Sequence, residues 1–134
     1  MTVSFLVPKE RTTNMAKEIE QLKAIGYCRV ASKGEDTDNK LIEQEIAVGN
    51  YMMSHDLGFA DCFYEIGRAG EALNKAYRFC KAHRDIAYLV VSNYSRLARN
   101  ANEGAAWVMK FQKIGVEILE VPQYYAPQPV KERG

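Results

Sequence analysis

Short apolar runs alternate along the chain with longer segments whose apolar residues recur at helical spacing, and this alternation constrains the fold most. The clearest run, residues 86–91, has the sequence Ile-Ala-Tyr-Leu-Val-Val between polar residues, which is typical of a strand buried on both faces. We predict further strands at residues 24–30, 61–66 and 116–121, and helices at residues 38–55, 71–82 and 102–114. Strands that alternate with helices of this length form parallel sheets with right-handed crossovers. We therefore expect an α/β fold of three layers, with a mostly parallel central sheet flanked by helices.

The length of 134 residues is sufficient for one domain with its own core, but not for two independent ones. We place this domain at residues 23–122, after an N-terminal extension over residues 1–22 and before a proline-rich tail over residues 123–134. Apolar residues at helical spacing in the extension predict a helix over residues 13–22 that packs on the core or contacts a partner. The prolines of the tail disfavour a helix there.

Charge and cysteine content limit the class of protein. A formal net charge of +1 is low for a free-standing DNA-binding protein, whose affinity depends on neutralising several phosphates. Positive charge is concentrated in the middle third of the chain, where it is also typical of a solvated helix face. The three cysteines show no paired spacing and favour neither a disulfide framework nor a zinc site, so we expect a reduced, cytoplasmic protein. No apolar stretch is long enough to span a bilayer, and we expect no membrane partner.

Three arginines lie at the ends of predicted strands. Arg96 and Arg99 come directly after the strand at residues 86–91, and Arg29 lies near the end of the strand at residues 24–30. Ligands of open parallel sheets bind at the carboxyl ends of the strands, and two guanidinium groups at i and i+3 on a first helical turn can converge on one phosphate or carboxylate. The spacing predicts an anion site, although arginines at helical spacing are also typical of solvated surfaces and surface ion pairs.

These segments resemble the signature sequences of a known family. Tyr-Cys-Arg-Val at residues 27–30 and Ser-Arg-Leu-Ala-Arg-Asn at residues 95–100 are similar to the two signature segments of the serine recombinase (resolvase/invertase) N-terminal catalytic domain. Between them, Phe-Tyr-Glu at residues 63–65 with Ala69 and Gly70 is similar to the middle segment of the family. The resemblance covers most of the chain and implies a resolvase-like catalytic domain fold.

The resemblance also implies a chemistry. In this family a serine hydroxyl attacks a DNA phosphodiester and forms a phosphoserine intermediate, while arginines hold the phosphate, with no metal and no cofactor. Carried over by position, Arg29, Arg96 and Arg99 would be catalytic and would bind the DNA phosphate. Lys75 stands where the family has a further phosphate-facing arginine, and lysine keeps the charge but loses the bidentate geometry. The resemblance implies DNA as the partner and a homodimer or a larger recombinase complex.

The nucleophile departs from the family pattern. The family has its serine two residues after the first arginine, and this position is Ala31 here, followed by Ser32. Residues two apart on a strand share a face, so on a continuing strand Ser32 would point away from Arg29. If the strand ends at Val30, or bulges, Ser32 can enter the site, and we take Ser32 as the candidate catalytic nucleophile. The alternative is a loop or N-cap serine.

Two functions from different classes remain open. The arginines and Ser32 favour the catalytic domain of a site-specific DNA recombinase, which cleaves and rejoins DNA strands through a phosphoserine intermediate. Ala31, and Ala69 in place of a family serine, favour a catalytically degenerate resolvase-like domain that acts as a DNA-associated or protein-interaction module. A small phosphorylated ligand is a third interpretation of the same arginine pocket. We expect Ser95 to be a site residue or the N-cap of the helix that follows it.

Overall fold

Strands and helices alternate throughout residues 21–123, the part of the chain that the computed structural model describes. The strands are β1 (Lys23–Val30), β2 (Gly58–Ile66), β3 (Ile86–Val91) and β4 (Glu117–Glu120), and the helices are α1 (Thr37–Ser54), α2 (Glu71–Ala82) and α3 (Ala101–Gln112). The strands form one parallel sheet in the order β2-β1-β3-β4. This confirms the expected α/β fold with a parallel central sheet. None of the described helices is long and apolar enough to cross a membrane.

Helices cover both faces of the sheet. Ala24 of β1 packs with Val48 of α1 in one apolar cluster, whereas the next residue, Ile25, packs in a second cluster with Leu73 of α2 and Phe111 of α3. Since successive residues of a strand point to opposite faces, α1 covers one face, and α2 and α3 cover the other. The molecule therefore has the three layers that the sequence predicts.

Two predicted boundaries differ from the structure. β2 begins at Gly58, three residues before its predicted start, because its first residues already pair with Lys23 and Ala24 of β1. Gln21 and Leu22 are not helical, so the helix predicted over residues 13–22 does not reach its expected end. The carbonyl of Leu22 accepts a hydrogen bond from the Gly58 N–H at 2.7 Å, which places the chain beside β2 before β1 begins. The rest of that predicted helix, and the tail from residue 124 onward, lie outside the described residues.

The order of the strands decides where the site lies. β2, β1 and β3 are neighbours and parallel, so the segments that follow them, at residues 67–70, 31–36 and 92–100, leave the sheet at one edge. These three segments contain most of the candidate residues that the sequence singled out.

Candidate functional site

Arg29 connects the segments that follow three neighbouring strands. Its Nε donates to the carbonyl oxygen of Arg96 at 2.7 Å, and its terminal nitrogens donate to the carbonyl oxygens of Gly67 at 2.7 Å and Ser95 at 2.9 Å. The side chain is buried, with a residue exposure of 9%. Each guanidinium nitrogen thus already donates to the backbone, and Arg29 positions the loops that carry the other candidate residues.

Gln44 holds the backbone of Arg29 from α1. Its Oε1 accepts from the Arg29 N–H, and its Nε2 donates to the Arg29 carbonyl, both at 2.9 Å. Pairing between β1 and β3 ends at Tyr27 and Val91, so β3 offers no backbone partner at Arg29. The buried Gln44 amide takes the place of that missing strand and keeps Arg29 in an extended conformation.

Glu65 orders the segment after β2. Its carboxylate accepts from the Tyr27 hydroxyl and from the backbone N–H groups of Gly70 and Ala72, the last two at 2.9 Å. Free N–H groups at the start of a helix need such acceptors, and a carboxylate there also interacts favourably with the helix dipole. Glu65 therefore fixes the start of α2 and the position of Ala69, which stands where the family has a serine.

Arg96 has a buried donor nitrogen that no residue in the described part of the chain satisfies. Its Nε is buried and has no hydrogen-bond acceptor among residues 21–123. Burial lowers the pKa of its guanidinium, and the nearby positive charge of Arg29 lowers it further. Neither arginine forms an ion pair with a described carboxylate. Since buried donors are rarely left without an acceptor, this unsatisfied donor beside a second cation is consistent with the anion site predicted from the sequence.

Arg99 lies beside Arg96 in the same segment but has a different environment. Arg96 ends a short 3-10 helix at Tyr94–Arg96, and Arg99 is exposed just before α3. The expected first helical turn that carries both arginines is therefore wrong. The two residues between them, Leu97 and Ala98, are buried and hold the segment against the core.

The expectation that Ser95 caps a helix is also wrong. The side chain of Asn93 caps the 3-10 helix by accepting from the Ser95 N–H at 2.9 Å, and Asn100 caps α3 by accepting from the Glu103 N–H at 2.9 Å. Ser95 contributes its carbonyl oxygen to Arg29 instead. Asparagine is as good an N-cap as serine, so the competing caps were visible in the sequence on both sides of Ser95.

Ser32 lies at the same edge of the sheet as the arginines but in a different hollow. β1 ends at Val30, so the alternation that would turn Ser32 away no longer applies, and both Ala31 and Ser32 are exposed. Ser32 lines a hollow of about 420 Å³ at the start of α1 together with Gly34, Glu35, Asp36, Thr37 and Lys40. None of the three arginines lines this hollow. Lys75 is exposed on α2.

The link between Tyr27 and Glu65 gives a pH-dependent prediction. Burial raises the pKa of the Tyr27 hydroxyl, and the hydrogen bond to Glu65 raises it further. A raised pKa in the folded state means that this stabilisation is complete below the unfolded-state pKa of about 10 and is lost at higher pH. We expect Tyr27→Phe to lower the free energy of unfolding at pH 7 by about 1 kcal/mol. Between roughly pH 9 and roughly pH 11, on either side of the unfolded-state pKa, this variant should lose less stability than the unmodified protein.

Urea unfolding across this pH range measures both effects. Tyr88→Phe on β3 is the matched control, since it removes a hydroxyl that makes no hydrogen bond to Glu65. An alkaline loss of stability that is the same in Tyr27→Phe as in the unmodified protein would contradict the assignment.

Known proteins share both the sequence pattern and the fold. A family model described as "Resolvase, N terminal domain" matches residues 24–132. The fold is similar to the C-terminal catalytic domain of ISC1926 TnpA, an IS607-like serine recombinase, with a TM-score of 0.64 and 21% identity over 83% of this chain and 76% of that one. A resolvase family site-specific recombinase from Streptococcus pneumoniae gives a TM-score of 0.66 and 21% identity over 77% and 74% of the two chains. A serine recombinase from Sulfolobus solfataricus gives a TM-score of 0.55 and 18% identity over 85% of this chain and 75% of that one. No curated protein matches the chain.

Proposed function

Since the chain belongs to the resolvase N-terminal domain family, we propose that it acts as the catalytic domain of a site-specific DNA recombinase and binds a DNA phosphate at its arginines. The observation that carries this proposal is the buried Nε of Arg96, which has no acceptor within residues 21–123. It lies near a second cation, Arg29, and no described carboxylate neutralises the pair. A phosphate supplies both the acceptor and the negative charge.

The three arginines have different roles in this proposal. Arg96 donates from its partly buried guanidinium, and the exposed Arg99 supplies a second planar fork from the same segment. Arg29 has one further N–H on each terminal nitrogen, but its main contribution is to hold the backbone of Ser95 and Arg96 in place. Cations fixed before the substrate arrives stabilise the charge that grows on the phosphate oxygens in the transition state.

Ser32 is the nucleophile of the proposed reaction. Its Oγ gives up its proton and forms a bond to phosphorus while the bond from phosphorus to one deoxyribose oxygen breaks. The released oxygen takes up one proton and becomes a hydroxyl, so no net proton is gained or lost. Attack of a deoxyribose hydroxyl on the phosphoserine reverses the step and rejoins a strand. For this, the exposed segment at residues 31–36 has to carry Ser32 from its present hollow towards Arg96. DNA is the proposed partner, in a dimer or a larger recombinase complex.

A second candidate function is a resolvase-like domain that binds DNA or a protein without cleaving DNA. Ser32 shares its hollow with Glu35 and Asp36, whose negative charges oppose a phosphate. Ala31 and Ala69 stand where the family pattern has hydroxyl groups. These observations favour a site that keeps its phosphate-binding arginines but has lost its nucleophile.

Mass spectrometry of a covalent adduct separates the two functions. The protein is incubated with fragmented double-stranded DNA and digested with nuclease and protease, and all peptides are examined for a bound deoxynucleotide phosphate, which the peptide spanning residue 32 should carry. We expect the adduct in the unmodified chain and in the control Ser54→Ala, a serine at the far end of α1, but not in Ser32→Ala. An adduct that persists in Ser32→Ala would reject the nucleophile. DNA binding without any adduct would favour the binding module.

A further inference from the structure

A groove on the outer side of α1 exposes an apolar surface that the recombinase site does not use. The groove has a volume of about 510 Å³ and lies between α1 and the start of β2. Four large apolar side chains on its walls stay about half exposed or more: Ile42 at 51%, Ile46 at 48%, Met53 at 73% and Phe59 at 46%. Neighbouring exposed apolar side chains are a common feature of binding surfaces.

The described chain begins at one end of this groove. The side-chain amide of Gln21 donates to the Asp56 carboxylate at 3.1 Å, and the Leu22 carbonyl accepts from the Gly58 N–H at 2.7 Å. The neighbours of Gly58 in the sequence, Leu57 and Phe59, both line the groove. The polypeptide that precedes Gln21 is therefore attached to the molecule next to the end formed by Met53, Leu57 and Phe59.

We propose that the N-terminal segment, residues 1–20, binds in this groove through Met15 and Ile19. These two residues are four apart in the sequence, a spacing that places side chains on one face of a helix. Further apolar residues, Val3, Phe5, Leu6 and Val7, lie nearer the start of the chain. The segment thus carries apolar groups that match the exposed apolar walls.

The dimensions of the groove fit this occupant. Ile42 and Met53 are eleven residues apart on α1, which corresponds to about 17 Å along the helix axis. Ten residues of helix span about 15 Å, and twenty extended residues reach at most about 70 Å, so the segment can cover the groove from the Met53 end to Ile42. A covalently attached segment also has an effective concentration in the millimolar range. A second copy of the chain competes poorly with it.

Binding of an apolar dye by the full chain tests the proposal. We expect Ile19→Asp and Met15→Asp, each introduced into the full chain, to increase the fluorescence of 8-anilinonaphthalene-1-sulfonate severalfold, because a charged residue displaces the segment and opens the groove. The matched control is Lys17→Asp, between the two positions and off their shared face, which should leave the fluorescence unchanged. Far-UV circular dichroism establishes that each variant is folded.

A second set of variants tests whether the additional dye binds in the groove. In Ile19→Asp, the additional change Ile46→Asp should remove the gain in dye fluorescence, whereas Met109→Asp, at an exposed apolar residue on α3, should not. A synthetic peptide of residues 1–20 should reduce the gain, and the same peptide with Ile19→Asp should not. Equal dye binding by the full chain and by Ile19→Asp would overturn the proposal. A groove covered only when the full chain dimerises, as shown by a dependence on protein concentration, would overturn it in favour of a second copy.

Discussion

Replacing Arg29 with methionine is expected to lower the free energy of unfolding by about 3–5 kcal/mol. Methionine has a similar length but no donor, so the carbonyl oxygens of Gly67, Ser95 and Arg96 lose a charged hydrogen-bond partner together. Each such bond contributes roughly 1.5–3 kcal/mol, and the three are not additive because they share one side chain. Urea unfolding at pH 7 measures the loss.

The control for this prediction is Arg68, which lies at the same edge of the sheet as Arg29. Arg68 follows Gly67 and is exposed, so Arg68→Met removes the same charge and adds the same side chain without breaking a described hydrogen bond. We expect its stability to change by less than about 0.5 kcal/mol. Equal losses in the two variants would mean that Arg29 does not hold the loops together.

Replacing Arg96 with methionine is expected to have little effect on stability but a large effect on DNA binding. The folded protein loses a buried donor that has no described acceptor and a cation that lies near Arg29. The free energy of unfolding should therefore stay the same or rise by up to about 1 kcal/mol. Affinity for DNA should fall at least about tenfold, which corresponds to about 1.4 kcal/mol, since the proposed phosphate site loses one of its arginines.

Fluorescence anisotropy with a labelled duplex at one fixed salt concentration measures this affinity, because phosphate contacts depend strongly on salt. Arg78→Met is the matched control: it removes one positive charge from an exposed position on α2. If Arg78→Met and Arg96→Met weaken binding equally, the effect is one of net charge and the anion site is rejected.

For the two elements with the clearest sequence patterns, the predicted first and last residues agree with the structure. The strand at residues 86–91 and the helix at residues 71–82 have the predicted bounds, because an apolar run between polar residues and a helix between a glycine and a histidine leave little freedom. β2 was shortened in the prediction because it is an edge strand. Its exposed face carries no regular apolar alternation, and its start is determined by pairing with β1.

The sequence predicted that Arg29 and Arg96 lie at one edge of the sheet, and they are neighbours there, but it treated the two as equivalent. They differ because the backbone carbonyls of two distant segments converge on Arg29. The conformation of those loop segments cannot be predicted from the residues of any one short stretch of sequence. The same reason explains Gln44 and Glu65, whose roles went unpredicted. Their partners are backbone groups, or a tyrosine hydroxyl 38 residues away, and only the folded chain brings them together.

Arg29 anchors its neighbours through main-chain carbonyl oxygens, which every amino acid possesses. Substitution at Ser95 or Arg96 therefore leaves the anchoring acceptors in place, provided that the backbone conformation is kept. Gly67 is different, because its φ of 107° favours glycine. Exposed side chains on these loops can therefore be replaced without loss of the hydrogen bonds that hold the loops together. One buried arginine that donates to main-chain acceptors thus separates the support of these loops from the chemistry of their side chains.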